Sequence, residues 1–201
     1  MIHNFGFMQG RLSDQIKGKI QAFPWDTWQE EFKIANEVGL NLMEWTLDHD
    51  GLYENPLLTN AGRKTIKQLS TKSGVNIPSL TGDCFMQAPF WKANNPNIQK
   101  ELKNDFLSVL KACSELNIQL LVVPLVDNGC IKTRTEELIL IEFLIEITPI
   151  LRKKNLKIAF ETDFQPNTNK RFIDNFDPNF FGLNYDTGNS AGLGYDFEEE
   201  F

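Results

Sequence analysis

The sequence predicts an α/β fold, an incomplete (β/α) barrel with about six of the eight βα units of a closed one. Apolar runs typical of buried strands alternate with amphipathic segments typical of helices, at intervals of roughly 30 to 40 residues along the 201-residue chain. From the second strand onward, each ends at an acidic residue: Glu44, Asp83, Asp127, Glu161 and Asp186. A barrel gathers all its strand ends around one mouth, whereas an open sheet gathers its site at one switch point. Five successive acidic ends therefore favour the barrel.

The first half of the chain predicts three strands and two helices. The strands cover residues 2–9, 40–45 and 75–80. Helices over about 27–38 and 59–72 are indicated by apolar residues at spacings of three and four, and they end at Gly39 and Gly74. Residues 81–97 form a long loop rich in aromatic residues and proline, and loops of that length in compact domains are usually functional.

The second half predicts three more strands, over residues 118–124, 156–160 and 180–185. A helix over residues 98–116 precedes the first of these strands, and a helix over residues 135–152 precedes the second. A kink is expected in the second helix at Pro149. A shorter segment around residues 170–176 joins the last two strands, and residues 196–201 look like the first turn of a helix. A closed barrel takes about 250 residues, so the pattern stops about two βα units short of closure.

Composition and net charge indicate the class, the location and the kind of binding partner of the protein. With 41% hydrophobic residues, residues 1–201 most simply form a single domain. The most apolar run, residues 138–151, is interrupted by charged residues and is too short to cross a membrane. No signal peptide is visible at the N-terminus, so we expect a cytoplasmic protein. A net charge of −7 argues against nucleic-acid binding and favours a small-molecule partner.

The three cysteines, Cys84, Cys113 and Cys130, are odd in number and form no C-x-x-C pair. They therefore indicate neither a disulfide framework nor a zinc knuckle, and we expect reduced thiols.

The stretch over residues 156–194 carries the main candidate site. Its two strands end at Glu161 and at Asp186, and the carboxyl ends of parallel strands meet at one edge of a sheet. Two carboxylates at that edge could hold a divalent cation, because hard cations prefer oxygen ligands. Alternatively, one carboxylate caps the following helix and the other merely ends its strand.

Short stretches over nearly the whole chain carry a family resemblance. In order they are Met8-Gln9-Gly10-Arg11-Leu12, Phe23-Pro24-Trp25 with Glu31-Phe32, Met43-Glu44-Trp45, Asn55-Pro56, Ser79-Leu80-Thr81-Gly82-Asp83, Val123-Pro124, Ala159-Phe160-Glu161-Thr162-Asp163 and Asn184-Tyr185-Asp186-Thr187-Gly188-Asn189-Ser190-Ala191. Their order and spacing resemble the xylose isomerase-like TIM-barrel superfamily, in particular its sugar phosphate isomerase/epimerase group.

The resemblance implies a metal centre. The family binds Mn²⁺, Mg²⁺, Co²⁺ or Zn²⁺ through a Glu on the fifth strand, an Asp on the sixth, a His on the seventh and a Glu on the eighth. Glu161 and Asp186 match the first two ligands, and no residue here matches the other two. His3 and His49 do not match the metal histidine. By resemblance Glu161 is also the catalytic acid/base.

The implied function is a metal-dependent sugar or sugar phosphate isomerase/epimerase that acts through an enediolate. As an isolated 201-residue chain it should be inactive or impaired, because two ligands leave the cation underligated. The alternative is a non-catalytic or assembly-dependent partial barrel, completed by another chain or by self-association as a homo-oligomer. An apurinic-type nuclease is disfavoured, because that site needs several more histidines.

Further residues are candidates for contacts with the sugar. Glu44, Asp83 and Asn189 could hydrogen-bond hydroxyl groups. Trp45, together with Phe85 and Trp91, could pack on the apolar face of a sugar, although large aromatic side chains are usually core residues. Arg11 could pair with a substrate phosphate or carboxylate, or could simply lie on the surface. His49 lies in a polar loop and is expected to be solvated.

Overall fold

The computed structural model describes residues 5–16, 18–19 and 21–200. Six strands form one sheet, in which every neighbouring pair is parallel and the spatial order is the chain order. The strands are β1 (Gly6–Met8), β2 (Leu42–Thr46), β3 (Asn76–Thr81), β4 (Leu120–Leu125), β5 (Lys157–Thr162) and β6 (Phe181–Leu183). A sheet that adds each new parallel strand beside the last is the growth pattern of a barrel, and the predicted α/β class is confirmed.

Helices connect the strands. They are α1 (Glu30–Glu37), α2 (Asn60–Ser73), α3 (Asp83–Gln87), α4 (Pro96–Leu116), α5 (Arg134–Lys154), α6 (Pro166–Ile173), α7 (Thr187–Leu193) and α8 (Phe197–Glu200). Local sequence explains their ends. Thr59 caps α2 by accepting from the Gly62 N–H, and Thr133 and Glu136 form a capping box on α5. Gly74 ends α2 in the left-handed conformation, with φ of +75°.

The two faces of the sheet differ in composition. Successive side chains of a strand point to opposite faces. One face packs against the helices and carries buried apolar residues such as Trp45, Leu121 and Phe160. The opposite face, called the site face below, carries Glu44, which lies in register with Ser79, and Glu161, which lies in register with Pro124.

The prediction of a long aromatic loop over residues 81–97 is wrong. The structure instead has α3 and a short 3-10 turn over Phe90–Lys92 there, and the aromatic side chains are buried. The Phe85 ring lies 4.4 Å from that of Phe106, and the Phe90 ring lies 4.8 Å from that of Phe143. The aromatic content therefore serves packing against α4 and α5.

Smaller differences concern element bounds. The first strand was predicted over residues 2–9; its described part is Gly6–Met8, and residues 2–4 lie outside the described residues. Helix α5 runs through Pro149, and α6 begins earlier than the segment predicted over 170–176. That residues 1–201 form a single domain stays a prediction. No helix among the described residues is long and apolar enough to cross a membrane.

Candidate functional site

Glu161 and Asp186 emerge at the same edge of the sheet, at the ends of the adjacent strands β5 and β6. Glu161 is half-buried, and the Asn189 side chain donates a hydrogen bond of 2.9 Å to its Oε1. Asp186 is exposed and caps α7: its Oδ1 accepts from the backbone N–H of Gly188 at 2.7 Å and of Asn189 at 3.0 Å. The capping alternative is thus observed for Asp186. Among the described residues these bonds use only Oδ1, which leaves Oδ2 for another partner.

The electrostatics of Glu161 show that the two carboxylates interact. Burial raises the pKa of Glu161, and the negative charge of Asp186 raises it further. Hydrogen bonds from Asn189 and Asn184 oppose these effects without cancelling them. Asn189 therefore contacts both carboxylates, one through its side chain and one through its backbone. A cation between the carboxylates would relieve their repulsion.

Glu44 lies on the site face of β2 and is held by β3. Its Oε1 accepts from the Thr81 hydroxyl at 2.6 Å, and its Oε2 accepts from the Ser79 hydroxyl at 2.7 Å. The contact follows from the register, which places Glu44 beside Ser79 and Thr46 beside Thr81. That Glu44 also binds a sugar hydroxyl stays a prediction.

Asp83 begins α3 and is only 6% exposed. Its Oδ2 accepts a hydrogen bond of 2.6 Å from the side chain of Gln21, in the loop between β1 and α1. Burial raises the pKa of Asp83 to about 7; the Gln21 bond opposes the rise, and the charges of Asp48, Glu161 and Glu44 add to it. A carboxyl group at the mouth of the sheet thus titrates near neutral pH.

Asp48 also connects the β1–α1 loop to the strand ends, and the sequence does not identify it as a site residue. Its Oδ2 accepts from the Phe23 N–H at 2.9 Å, and its Oδ1 accepts from the Gln87 side chain at 2.7 Å. The β1–α1 loop is therefore bound to the ends of both β2 and β3. His49 is exposed, as expected, and its backbone N–H donates to the Gln87 side chain at 2.8 Å. The turn-rich composition around Asp48 predicts a loop, but it does not indicate which residues Asp48 contacts.

The prediction that Trp45 contacts the sugar is corrected by its burial. It is 0% exposed, and its ring packs against those of Phe23 at 5.5 Å and Trp28 at 5.8 Å. Its indole N–H donates to the Asn55 side chain at 3.3 Å. Because side chains alternate along β2, Trp45 faces the helices while its neighbour Glu44 faces the site. The side chain belongs to the core and offers no surface to a sugar.

Phe85 and Trp91 are also core residues, at 4% and 1% exposure. The Trp91 indole donates to the Gly129 carbonyl at 3.1 Å. Arg11, in contrast, is exposed in the loop after β1, where its backbone N–H donates to the Met8 carbonyl at 3.1 Å.

The donor set fits a divalent cation in part. Glu161 and Asp186 supply hard oxygen ligands that repel each other in the absence of a cation. Within the part of the chain that the structure describes, no group of three or more His, Cys, Asp or Glu residues could hold a metal ion. Further ligands would have to come from groups other than these.

The chain matches a known protein family over most of its length. The family model described as xylose isomerase-like TIM barrel matches residues 32–201. This chain belongs to the xylose isomerase-like TIM-barrel family. The predicted family is thereby confirmed. No curated protein matches the sequence significantly.

Solved structures share the fold at low identity. D-psicose 3-epimerase from Clostridium cellulolyticum, solved with D-tagatose, is 15% identical with a TM-score of 0.65, over 82% of this chain and 59% of that one. A sugar phosphate isomerase/epimerase from Parabacteroides distasonis is 14% identical with a TM-score of 0.62, over 86% and 65%. A xylose isomerase-like TIM barrel protein from Mycobacterium smegmatis, in complex with magnesium, is 16% identical with a TM-score of 0.61, over 86% and 60%.

The chain thus spans 59% to 65% of the length of these structures, which confirms an incomplete TIM barrel. Two of these three structures are named as sugar isomerases or epimerases, the D-psicose 3-epimerase and the sugar phosphate isomerase/epimerase.

Proposed function

We propose that this chain carries part of the active site of a metal-dependent sugar or sugar phosphate isomerase/epimerase that acts through an enediolate. The observation that supports the proposal best is the interaction of Glu161 with Asp186 at the ends of β5 and β6, bridged by Asn189. The names of the neighbours add support, since they include a D-psicose 3-epimerase and a sugar phosphate isomerase/epimerase.

In this proposal Glu161 is the acid/base. Epimerising a keto sugar removes a proton from the carbon next to the carbonyl, and a carboxylate beside that carbon can accept the proton and return it. Burial and Asp186 raise the pKa of Glu161, which brings its protonated and ionised forms closer in free energy near neutral pH. The Asn189 amide holds the carboxylate in one orientation through Oε1.

Glu161 and Asp186 would hold the cation, which could be Mn²⁺, Mg²⁺, Co²⁺ or Zn²⁺. When bound, it supplies Lewis-acid stabilisation of negative charge on the sugar oxygens. Glu44, Asp83 and Asn189 remain candidates for hydrogen bonds to sugar hydroxyls. Asp83 would need the Gln21 side chain to move aside first, because it is buried beneath that contact.

We expect the isolated 201-residue chain to be inactive or impaired. Two carboxylates are too few ligands for a divalent cation, which takes about four to six. In the described sheet, β1 and β6 each pair on one side only. The mouth of the barrel is therefore open along one side, which admits water to the site.

The open sheet also supports a second candidate. Unpaired edge strands invite pairing with another chain, so the partial barrel could be an assembly-dependent protein completed by a partner or by a second copy. Light scattering at several concentrations tests self-association, and a stable monomer throughout would count against it.

Proton exchange tests the isomerase proposal directly. D-fructose is incubated with the chain and Mn²⁺ in D₂O, and deuterium at the carbons beside the carbonyl is followed by NMR. We expect slow exchange that Glu161→Gln abolishes. The matched control is Asp163→Asn, which neutralises an exposed carboxylate two residues away. Exchange that persists in Glu161→Gln would remove Glu161 from the mechanism, and fast turnover by the isolated chain would refute the impairment.

A further inference from the structure

A small cavity beside the β1–α1 loop lies outside the carboxylate site. It has a volume of about 220 Å³, and its lining includes Gly10, Arg11, Ser13, Asp14, Lys19 and Ala22. We propose that this cavity binds the phosphate group of a phosphorylated sugar, with Arg11 and Lys19 pairing with the phosphate oxygens and Glu31 as the positioning residue. This inference rests on the proposed function and deepens it, because it selects sugar phosphates over neutral sugars.

A buried carboxylate holds the backbone on both sides of Arg11. Glu31 is 0% exposed. Its Oε1 accepts from the N–H of Gly10 at 2.8 Å and of Leu12 at 3.1 Å, and its Oε2 lies 3.1 Å from the Gly10 nitrogen. Burying a carboxylate is costly unless its oxygens are hydrogen-bonded. Here that cost is offset by backbone donors that flank a single residue, so Glu31 sets the direction in which Arg11 projects.

Gly10 makes this turn tight. Its φ of +92° lies in the left-handed region, and an added Cβ would meet the Ala22 carbonyl at 2.8 Å. The turn is therefore pressed against the segment that forms the opposite wall of the cavity. Backbone contacts of Gly10 and Leu12 therefore fix the position of the Arg11 backbone relative to this wall.

Arg11 differs from the other arginines of the chain. Each of the other four forms an ion pair with an acidic residue: Arg63, Arg134, Arg152 and Arg171. Among the described residues, the Arg11 guanidinium has no such partner, and neither has the Lys19 amine. Both side chains are exposed. Two cations are thus available at one cavity.

The charge at the cavity favours an anion. Of the charged residues in its lining, Arg11 and Lys19 are basic and Asp14 is acidic, a net charge of +1 in a chain whose net charge is −7. A phosphate monoester carries about two negative charges at neutral pH, and Arg and Lys are its usual ligands. A sugar carboxylate carries only one negative charge, and a neutral sugar carries none with which the two cations could pair.

The cavity adjoins the mouth of the sheet. Ala22 lines the cavity, and its neighbour Gln21 donates to Asp83 at the ends of the strands. The loop that would hold the phosphate therefore also forms part of the rim. A phosphorylated sugar bound by this loop would extend its uncharged carbons toward the site face.

Calorimetric titration tests the proposal. The ligands are inorganic phosphate, D-fructose 6-phosphate, D-fructose and D-glucuronate, titrated into the chain at low ionic strength. The test variant is Arg11→Gln/Lys19→Gln. The matched control is Lys64→Gln/Lys67→Gln, which removes two exposed cations from α2 and changes the net charge equally.

We expect the two phosphate compounds to bind the unmodified chain and the control, and to lose at least about tenfold in affinity in the test variant. D-fructose and D-glucuronate should bind at least about tenfold more weakly than D-fructose 6-phosphate. Equal affinity in the test variant and the control, no binding of either phosphate compound, or tighter binding of D-glucuronate would overturn the proposal.

Two single variants separate the roles. Glu31→Gln should weaken phosphate binding about threefold to tenfold while Arg11 is intact and circular dichroism shows a folded chain, because the turn loses a charged acceptor. Unchanged phosphate affinity would remove the positioning role. Glu161→Gln should leave phosphate affinity unchanged while it abolishes proton exchange. In the unmodified chain, binding of D-fructose 6-phosphate without deuterium exchange into it would sink the isomerase proposal alone, and exchange into D-fructose without binding of either phosphate compound would sink the phosphate site alone.

Discussion

The acidic residues at the β2–β3 end of the sheet differ from those at the β5–β6 end. Glu44, Asp48 and Asp83 accept hydrogen bonds from residues 25 to 62 positions away, and they tie strands to the β1–α1 loop and to α3. Asp186 accepts from residues two and three positions away. An acid at a strand end therefore makes tertiary contacts in the first region, whereas in the second region Asp186 is a local helix cap and Glu161 accepts from Asn189, 28 positions away.

The largest effect should come from the core beneath the first region. Trp45→Ala should lower the free energy of unfolding by about 3 to 5 kcal/mol, because a fully buried aromatic side chain leaves a cavity. Urea denaturation measures the change. Trp25→Ala is the control, and it should cost less because Trp25 is 41% exposed. Equal losses of unfolding free energy in the two variants would mean that the burial of Trp45 contributes less to stability than its packing indicates.

The pH dependence of stability should depend on Asp83. Its ordinary pKa of 3.8 rises to about 7 in the folded chain, so the folded state holds the proton more tightly. The resulting stabilisation is complete below pH 3.8 and is lost as the pH rises through about 7, by at most about 4 kcal/mol. Asp83→Asn cannot ionise and should lack this loss.

Urea midpoints at pH 5 and pH 8 measure that difference. Asp26→Asn, at an exposed position, should keep the pH dependence of the unmodified chain. Parallel pH profiles for Asp83→Asn and the unmodified chain would show that Asp83 ionises normally.

A moderate effect should come from the tie between β2 and β3. Thr81→Val should cost about 1 to 2 kcal/mol, because the half-buried Glu44 loses a hydrogen bond from a buried hydroxyl. Thermal and urea unfolding measure the loss. Thr71→Val, on the exposed side of α2, removes a hydroxyl that bonds only its own helix and should change stability by less than about 0.5 kcal/mol. Similar values for both would remove the structural role of the Glu44 contacts.

The smallest effect on stability should come from the second region. Asp186→Ala should cost about 1 kcal/mol because α7 loses its cap, whereas Asp186→Asn should cost a few tenths because Asn also caps helices. Both variants should weaken Mn²⁺ binding, measured by electron paramagnetic resonance, because both lose the carboxylate. If Asp186→Asn binds Mn²⁺ normally, Asp186 is a cap and not a ligand.

Most of the fold could be predicted from the sequence. The six strands lie within a few residues of their predicted places, because hydrophobic runs, glycine ends and caps are local signals. Asn117 and Asn155 end α4 and α5 in the left-handed conformation, which a search for glycine alone misses. The burial of Phe85, Phe90 and Trp91 was not predictable, because an aromatic loop and a core insertion have the same composition.

The sequence by itself determined that acidic residues stand at the ends of successive parallel strands, since that pattern depends only on local strand periodicity. It also determined that Glu161 lies at the end of one strand and Asp186 just after the end of the next. Tertiary structure alone decided that Trp45 faces the helices, that Gln21 covers Asp83, and that Glu31 holds the turn around Arg11. The contacts of Gln21 with Asp83 and of Glu31 with Gly10 join residues 62 and 21 positions apart, and their partners are chosen by register and packing rather than by any nearby residue.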